Sequence, residues 1–235
     1  MSPPKRVNVT NRLLDALPGS ERKRVLAAGE VVDLAFADEL YSPDDALTQV
    51  YFPLESLISL IVPIKDAAGL EVGLIGNEGM FGIPLALGVD RSSVRAVVQG
   101  AGPALRMDAS AFLAELARDE ALHRVIDRYA FVHLSQLAQT AGCNRYHVVE
   151  ARLARWLLMT QDRVHADDFH VTQEFLALML GVRRVGVTRA AQSLQHLGLI
   201  HYSRGNITVL DRRGLKAAAC GCYKADREVY ARAFG

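Results

Sequence analysis

One stretch, Thr172 to Ile200 (TQEFLALMLGVRRVGVTRAAQSLQHLGLI), restricts the possible folds more than any other part of the chain. Thr172 is a good N-cap, and Phe175, Leu176, Met179 and Leu180 recur at helical spacing behind it. Gly181 stands where the first helix must stop, since glycine takes the left-handed conformation of a helix C-terminus cheaply. A second helix is expected from Arg183 or Arg184 to His196, burying Val187, Ala190, Ala191 and Leu194 and showing Arg183, Arg184, Thr188, Arg189 and Gln192. Gly198 ends it. Leu199-Ile200 then opens a hairpin that turns at Arg204-Gly205-Asn206 and returns through Ile207 to Leu210. This is the pattern of a winged helix-turn-helix.

The arginines give that pattern a chemistry. A helix fits the major groove of B-DNA, where arginine donates two parallel hydrogen bonds to guanine O6 and N7. Arg184 and Arg189 are five residues apart, about 140° around a helix. Thr188 and Gln192 lie between them, within reach of phosphates or adenine edges. From Gly181 to Arg213 there are six arginines (183, 184, 189, 204, 212 and 213) against one acid, Asp211, although the whole chain carries only +1. The local charge suits a polyanion. The expected DNA-binding set is therefore Thr172, Arg183, Arg184, Gly186, Thr188, Arg189, Gln192 and Arg204, and the partner is double-stranded DNA. The competing readings are an ordinary helical hairpin with a solvated arginine face, or a winged helix that docks a protein.

At 235 residues the chain exceeds the usual single domain. Half of it is hydrophobic and 23% is charged, with no apolar run near the roughly 20 residues that span a membrane and no apolar leader. The expectation is a cytoplasmic protein with no membrane partner. Residues 1 to 9 read as disordered, and short helices follow over Asn11–Leu17 and Ser20–Ala28. From Gly29 the periodicity changes to short strands, near Glu30–Phe36, Gln49–Phe52, Leu57–Pro63, Leu70–Ile75, Val94–Gln99 and Ala104–Met107. Their spacing suggests an all-β sandwich or barrel.

Asp108 is a candidate N-cap for a helix to Leu116, and a longer helix is expected from Asp119 to about Gly142, roughly 35 Å at 1.5 Å per residue. Leu122, Ile126, Tyr129, Ala130, His133, Leu134, Leu137 and Ala141 form one stripe along it, with Val125 and Val132 elsewhere. The expectation is that the chain buries the first stripe and leaves the second for another copy, making a homodimer; intramolecular packing is the alternative. Cys143-Asn144-Arg145 breaks the pattern as a hinge, and a further helix carries Trp156 as core. The three expected domains are 1–118 (β-roll sensor with N-terminal helices), 119–142 (dimerisation helix) and 143–235 (winged helix-turn-helix), an α+β chain overall.

Cys143, Cys220 and Cys222 make no disulfide framework. Cys220-Gly221-Cys222 and Cys143 lack a fourth ligand at familiar zinc spacing, so buried thiols and no metal are expected. No nucleophile–base pair, phosphate-cradling Gly-x-x-x-x-Gly-Lys or paired carboxylates mark an enzyme.

The element order, together with Val50-Tyr51-Phe52-Pro53, Gly76-Asn77-Glu78-Gly79-Met80-Phe81-Gly82, Arg91-Ser92 and Leu180-Gly181-Val182-Arg183-Arg184, resembles the Crp/Fnr superfamily of bacterial transcription regulators. The resemblance implies a β-roll sensor (cyclic-nucleotide-binding-like, a double-stranded β-helix or jelly roll), a homodimer on a palindromic operator, and a productive or blocking contact with RNA polymerase. It places effector contacts at Gly76, Glu78, Arg91 and Ser92. The sensor departs from the cyclic-nucleotide pattern, because Asn77 follows Gly76, the glutamate is shifted to Glu78, and the stretch before Arg91-Ser92 is longer. Those departures weigh against a cyclic nucleotide, so no cofactor is assigned and the effector stays unnamed. No cysteine precedes Cys143, which argues against the N-terminal iron–sulfur sensor; His123, His133 and His147 are in principle haem ligands, each more often an ordinary helix histidine. On the second helix Val185 stands where the commonest family pattern has a glutamate, and it suits a thymine methyl instead.

Overall fold

The computed structural model describes residues 10–65 and 69–235, so the expectation of disorder over residues 1 to 9 lies outside the described residues. In chain order the elements are α1 (Arg12–Asp15), α2 (Gly19–Ala27), β1 (Glu30–Leu34), β2 (Glu39–Tyr41), β3 (Gln49–Pro53), β4 (Leu57–Val62), β5 (Leu70–Ile75), α3 (Ile83–Ala86), β6 (Arg95–Gly100) and β7 (Gly102–Asp108). Then come α4 (Ala109–Arg118), α5 (Glu120–Tyr146), α6 (Val149–Val164), β8 (Asp168–His170), α7 (Gln173–Leu180), α8 (Arg184–His196), β9 (Ile200–Ser203), β10 (Asn206–Val209), α9 (Arg212–Ala218) and α10 (Cys222–Phe234). The class is α+β.

Two antiparallel sheets, ordered β1-β7-β3 and β2-β6-β4-β5, form the N-terminal half. Between them lies a core that includes Val50, Phe52, Ile58, Leu60, Val98, Leu105 and Met107, sealed by Leu13, Phe112, Leu122 and Tyr129 from the helices. β2 was not expected from sequence; its three residues pair with β6 more than fifty positions away and carry little local signal. Asp108 is extended at the start of α4 but makes no side-chain cap bond, whereas Asp119 caps α5 by accepting from the Ala121 and Leu122 amides.

The long helix corrects two expectations. It does not break at Cys143-Asn144-Arg145 but runs through Tyr146, 27 residues in all, with His147 closing it by donating its amide to the Cys143 carbonyl. Its stripes also divide differently. Val125 and Val132, expected on an outward face, are 7% and 0% exposed, whereas Leu134 and Phe131 are each 63% exposed. Leu122, Ile126 and Tyr129 are buried as expected. The outer seam is thus Phe131, Leu134, Ala138 and Ala141, at alternating steps of three and four.

The second core joins α6, α7, α8, the three-stranded sheet β8-β10-β9 and α9 through Leu157, Leu176, Val187, Leu194, Ile207 and Leu215. Ile61 and Val97 of the N-terminal half belong to this core as well. β4 explains why. Its run LISLIV is largely apolar on both faces, and the face turned away from the β-roll core is covered by α6 and α7.

Candidate nucleic-acid interface

The helix pair is built as its local chemistry requires. Thr172 Oγ1 accepts from the Phe175 amide at 3.2 Å to start α7. Gly181 ends α7 with φ +58 in the left-handed region, and a Cβ there would meet Leu70 Cδ1 at 2.6 Å, so glycine also permits close docking on β5. α8 buries Val187, Ala190, Ala191 and Leu194.

Arg183, Arg184, Val185, Arg189 and Gln192 are all exposed on α8, and Thr188 is half-buried. Gly186 lies between the two arginine-bearing turns, with only Val182 near its missing side chain. Arg204 occupies the tip of the β9–β10 hairpin, exposed, with φ +50. Thr172, Arg184 and Arg204 share one concavity of about 300 Å³ between the start of α7 and the hairpin. Arg189 and Gln192 are exposed further along α8, about 140° and 80° around the helix from Arg184.

Sequence reasoning missed two residues that set this surface. Arg184 pairs with Glu174 at 2.6 Å and donates from Nε to Gln173 Oε1 at 3.2 Å, while Thr188 Oγ1 also donates to Gln173 Oε1 at 3.1 Å. The Arg184–Glu174 pair is largely exposed, so it orients the guanidinium more than it stabilises the fold. Only a prior decision about how the two helices cross would have revealed these contacts.

The four expected effector residues fall in two places. Arg91 and Ser92 line a cavity of about 610 Å³ between β4, β5, the α3 segment and α5, whose walls are almost wholly apolar: Leu60, Val72, Met80, Ile83 and Leu137 among others. Arg91 donates to the Asp44 carbonyl at 2.6 Å, and the Ser92 hydroxyl donates to the Val94 carbonyl at 2.7 Å. His133 projects into the cavity, and burial lowers its pKa to about 4, leaving the ring neutral.

Gly76 and Glu78 are elsewhere. The Glu78 carboxylate is buried against α6, where it takes a salt bridge from Arg163 at 2.8 Å. A Cβ on Gly76 would meet Arg163 Cγ at 2.7 Å, so this glycine makes room for the ion pair. The same loop accepts from Asn11 at the Gly79 carbonyl, and a Cβ on Gly79 would meet the Tyr129 hydroxyl of α5 at 2.0 Å. It joins the β-roll to three helices.

Glu71 makes a second bridge between the halves. It accepts from Trp156 Nε1 at 2.9 Å and from the Ser59 hydroxyl at 2.6 Å. Burial outweighs those bonds and pushes the carboxyl up to about 7. A raised carboxyl stabilises the fold fully below its unfolded value, and that contribution disappears as pH rises through about 7. Wild-type stability should therefore fall by roughly 3 kcal/mol relative to Glu71→Gln as pH rises through that window. Parallel thermal melts of the two proteins across the window check this; superimposable pH profiles would refute it.

Among the described residues, no helix is long and apolar enough to cross a membrane. Comparison with curated protein sequences gives no match. Residues 151–218 match the family model of the Crp-like helix-turn-helix domain. Among solved structures, FixK2 from Bradyrhizobium japonicum is similar at 15% identity and a TM-score of 0.70, covering 82% of this chain and 98% of that one. CLP from Xanthomonas campestris, described as a c-di-GMP-responsive global regulator, is similar at 19% identity and a TM-score of 0.66, covering 82% and 99%. A Crp/Fnr-family transcriptional regulator from Thermus thermophilus is similar at 22% identity and a TM-score of 0.64, covering 81% and 98%. These are likenesses of fold. Residues 151–218 are thus similar to the Crp-like helix-turn-helix domain, and the chain as a whole shares the fold of these Crp/Fnr-type regulators.

Proposed function

We propose that this protein is a cytoplasmic, homodimeric, sequence-specific DNA-binding transcription regulator. One observation carries the reading: Arg183, Arg184 and Arg189 stand exposed on the polar side of α8, beside Arg204 at the hairpin tip, while the opposite side of α8 is core. Arg184 and Arg189 read guanine edges, Val185 suits a thymine methyl, and Thr188 and Gln192 serve phosphates or adenine. Arg204 and the α7 start at Thr172 hold the backbone, and Gly186 keeps the helix surface low between the two arginines.

The outer seam of α5 supports the dimer. Phe131 and Leu134 project 63% exposed from a helix whose other side is buried, and such apolar seams pair helices. Leu134→Glu is expected to convert the dimer to a monomer in sedimentation velocity and to remove cooperative operator binding. An unchanged sedimentation coefficient at the same concentration would place the dimer elsewhere. A second copy doubles the reading helix, so the operator is palindromic, with half-site centres about one helical turn, 34–36 Å, apart or a multiple of that. RNA polymerase is the partner through which such a dimer changes transcription.

Gating belongs to the 610 Å³ cavity. Its walls fit an apolar effector with one anionic group at Arg91 and Ser92. Glu78, engaged with Arg163, does not face it, which supports an effector other than a cyclic nucleotide. Leu134 and Ala141 line this cavity and also belong to the outer seam of α5, so an occupant bears on the dimer seam. Selection of bound sites from random duplexes, repeated at two salt concentrations, tests the reading. An inverted repeat whose affinity falls steeply with salt is expected; recovery without any sequence preference would end it.

A further inference from the structure

Cys143, Cys220 and Cys222 form a small island of buried residues separate from both cores, with only Ala151 packed against it. His147 joins them. Taking one ligand atom from each residue, all four lie within 4.8 Å of one another. Cys143 Sγ is 3.5 Å from Cys220 Sγ, and Cys222 Sγ is 3.5 Å from His147 Nδ1. All three thiols are free, and 3.5 Å is far beyond a disulfide bond.

We propose that these four side chains are a site for a single zinc ion, Cys₃His, which pins the end of α5 to the start of α10. Zinc takes thiolate sulfur at about 2.3 Å and imidazole nitrogen at about 2.0–2.1 Å in a tetrahedron, whose edges are then about 3.8 Å between two sulfurs and about 3.5 Å between sulfur and nitrogen. The Cys222–His147 separation of 3.5 Å matches the sulfur–nitrogen edge, and the Cys143–Cys220 separation of 3.5 Å is within about 0.3 Å of the sulfur–sulfur edge. Cys143 and His147 are four residues apart at the C-terminus of α5 and so face one way, while Cys220 and Cys222 flank Gly221, the N-cap of α10. The sequence hides the set because its two halves are more than seventy residues apart, and neither Cys-x-x-x-His nor Cys-x-Cys alone is a familiar zinc signature.

The surroundings suit an occupied site. Gln139 Nε2 donates to Cys222 Sγ at 2.9 Å, the kind of outer hydrogen bond that orients a ligating thiolate. Three thiolates and Zn²⁺ sum to one negative charge, and the Arg152 and Arg155 guanidiniums are within electrostatic reach of Cys143 and Cys220. The thiols are buried, while His147 lies at the surface, giving the ion an entrance. A cage this tight favours one ion over an iron–sulfur cluster, which spreads its ligands over several irons. The consequence is mechanical and holds whatever the partner of α8: the ion ties the seam-bearing helix to the helix whose Asp226 holds Arg155 of α6 at 2.7 Å.

The test uses the full chain purified under reducing conditions. Elemental analysis should give about one zinc per chain, released on titration of three thiols with an organomercurial. After chelation, Co²⁺ should restore the site and show the visible bands of tetrahedral cobalt with a thiolate-to-metal band in the near ultraviolet. The cysteines are buried, and replacing them can unfold the chain, so His147→Ala at the surface is the primary variant. It should weaken zinc by more than the roughly 10–100-fold that loss of an outer hydrogen-bond partner causes, and His147→Cys should restore it. Hydrogen exchange in α10 should rise when the ion is removed. A reduced chain that holds no zinc and gives no cobalt–thiolate band overturns the proposal. So does a brown, iron-bearing protein, or a Cys143–Cys220 disulfide in a chain that takes up no metal.

Discussion

Replacing Arg184 and Arg189 together with alanine is expected to weaken specific DNA binding by roughly 2–6 kcal/mol, about 30-fold to more than 10⁴-fold, without lowering the melting temperature. Each arginine presented to a guanine contributes about 1–3 kcal/mol of discrimination, and each 1.4 kcal/mol is tenfold in affinity. The two contributions should nearly add, because the side chains are five residues apart on α8 and, on the proposed reading, meet different base pairs. Stability should hold, since both residues are exposed and the Arg184–Glu174 pair has 65% of each side chain in solvent. The single variants separate further. Arg184→Ala also releases Glu174, so Glu174→Ala is the control that tells loss of the base contact from loss of the pair. Arg204→Ala should act uniformly across sequences and lower the salt slope by about one. Fluorescence anisotropy against operator and scrambled duplexes at fixed salt reads all of these. A double variant with wild-type operator affinity would show that α8 does not enter the groove.

How much of this was legible depended on the distance over which each signal acts. Thr172, Gly181 and the apolar positions of α7 and α8 state their conformation within a turn or two, and both helices and the hairpin fall where the sequence puts them. The hinge at Cys143-Asn144-Arg145 was misread because Gly142 and Asn144 are weak helix formers, yet Cys143 is held inside the fold and the ladder continues to Tyr146. The α5 stripes were divided wrongly because periodicity identifies a face but not its cover. β4 is the converse: LISLIV announces two buried faces, but nothing local says that the second is covered by α6 and α7. The role of Glu78 turned on the same missing information. Its place in Gly-Asn-Glu-Gly suggested a loop facing a ligand, and its partner, Arg163, is 85 residues away.

That partner gives the second large effect. Arg163→Met is expected to destabilise the junction of the two halves by about 3–5 kcal/mol, the range seen when one member of a buried ion pair is removed and the other stays unpaired. The geometry supports the upper part of that range. Arg163 and Glu78 side chains are 9% and 10% exposed, and Glu78 Oε1 receives both Nε and a terminal nitrogen of Arg163 at 2.8 Å. Glu78 Oε2 is buried with no hydrogen-bond partner among the described residues, so the carboxylate depends on Arg163 for its compensation. Gly76→Ala should act in the same direction, because its methyl would occupy the position of Arg163 Cβ and Cγ. Removing both charges is different: Glu78→Leu with Arg163→Met leaves no uncompensated ion and should recover most of the loss, giving a large coupling energy in a double-mutant cycle. Because the pair bridges two cores, its loss should divide one cooperative melt into two, with the winged-helix half released from β4 and β5 first. Calorimetry of the four proteins decides it. One transition at an unchanged midpoint in Arg163→Met would mean that Ile61, Val97 and the Trp156–Glu71 bond hold the halves together without the ion pair.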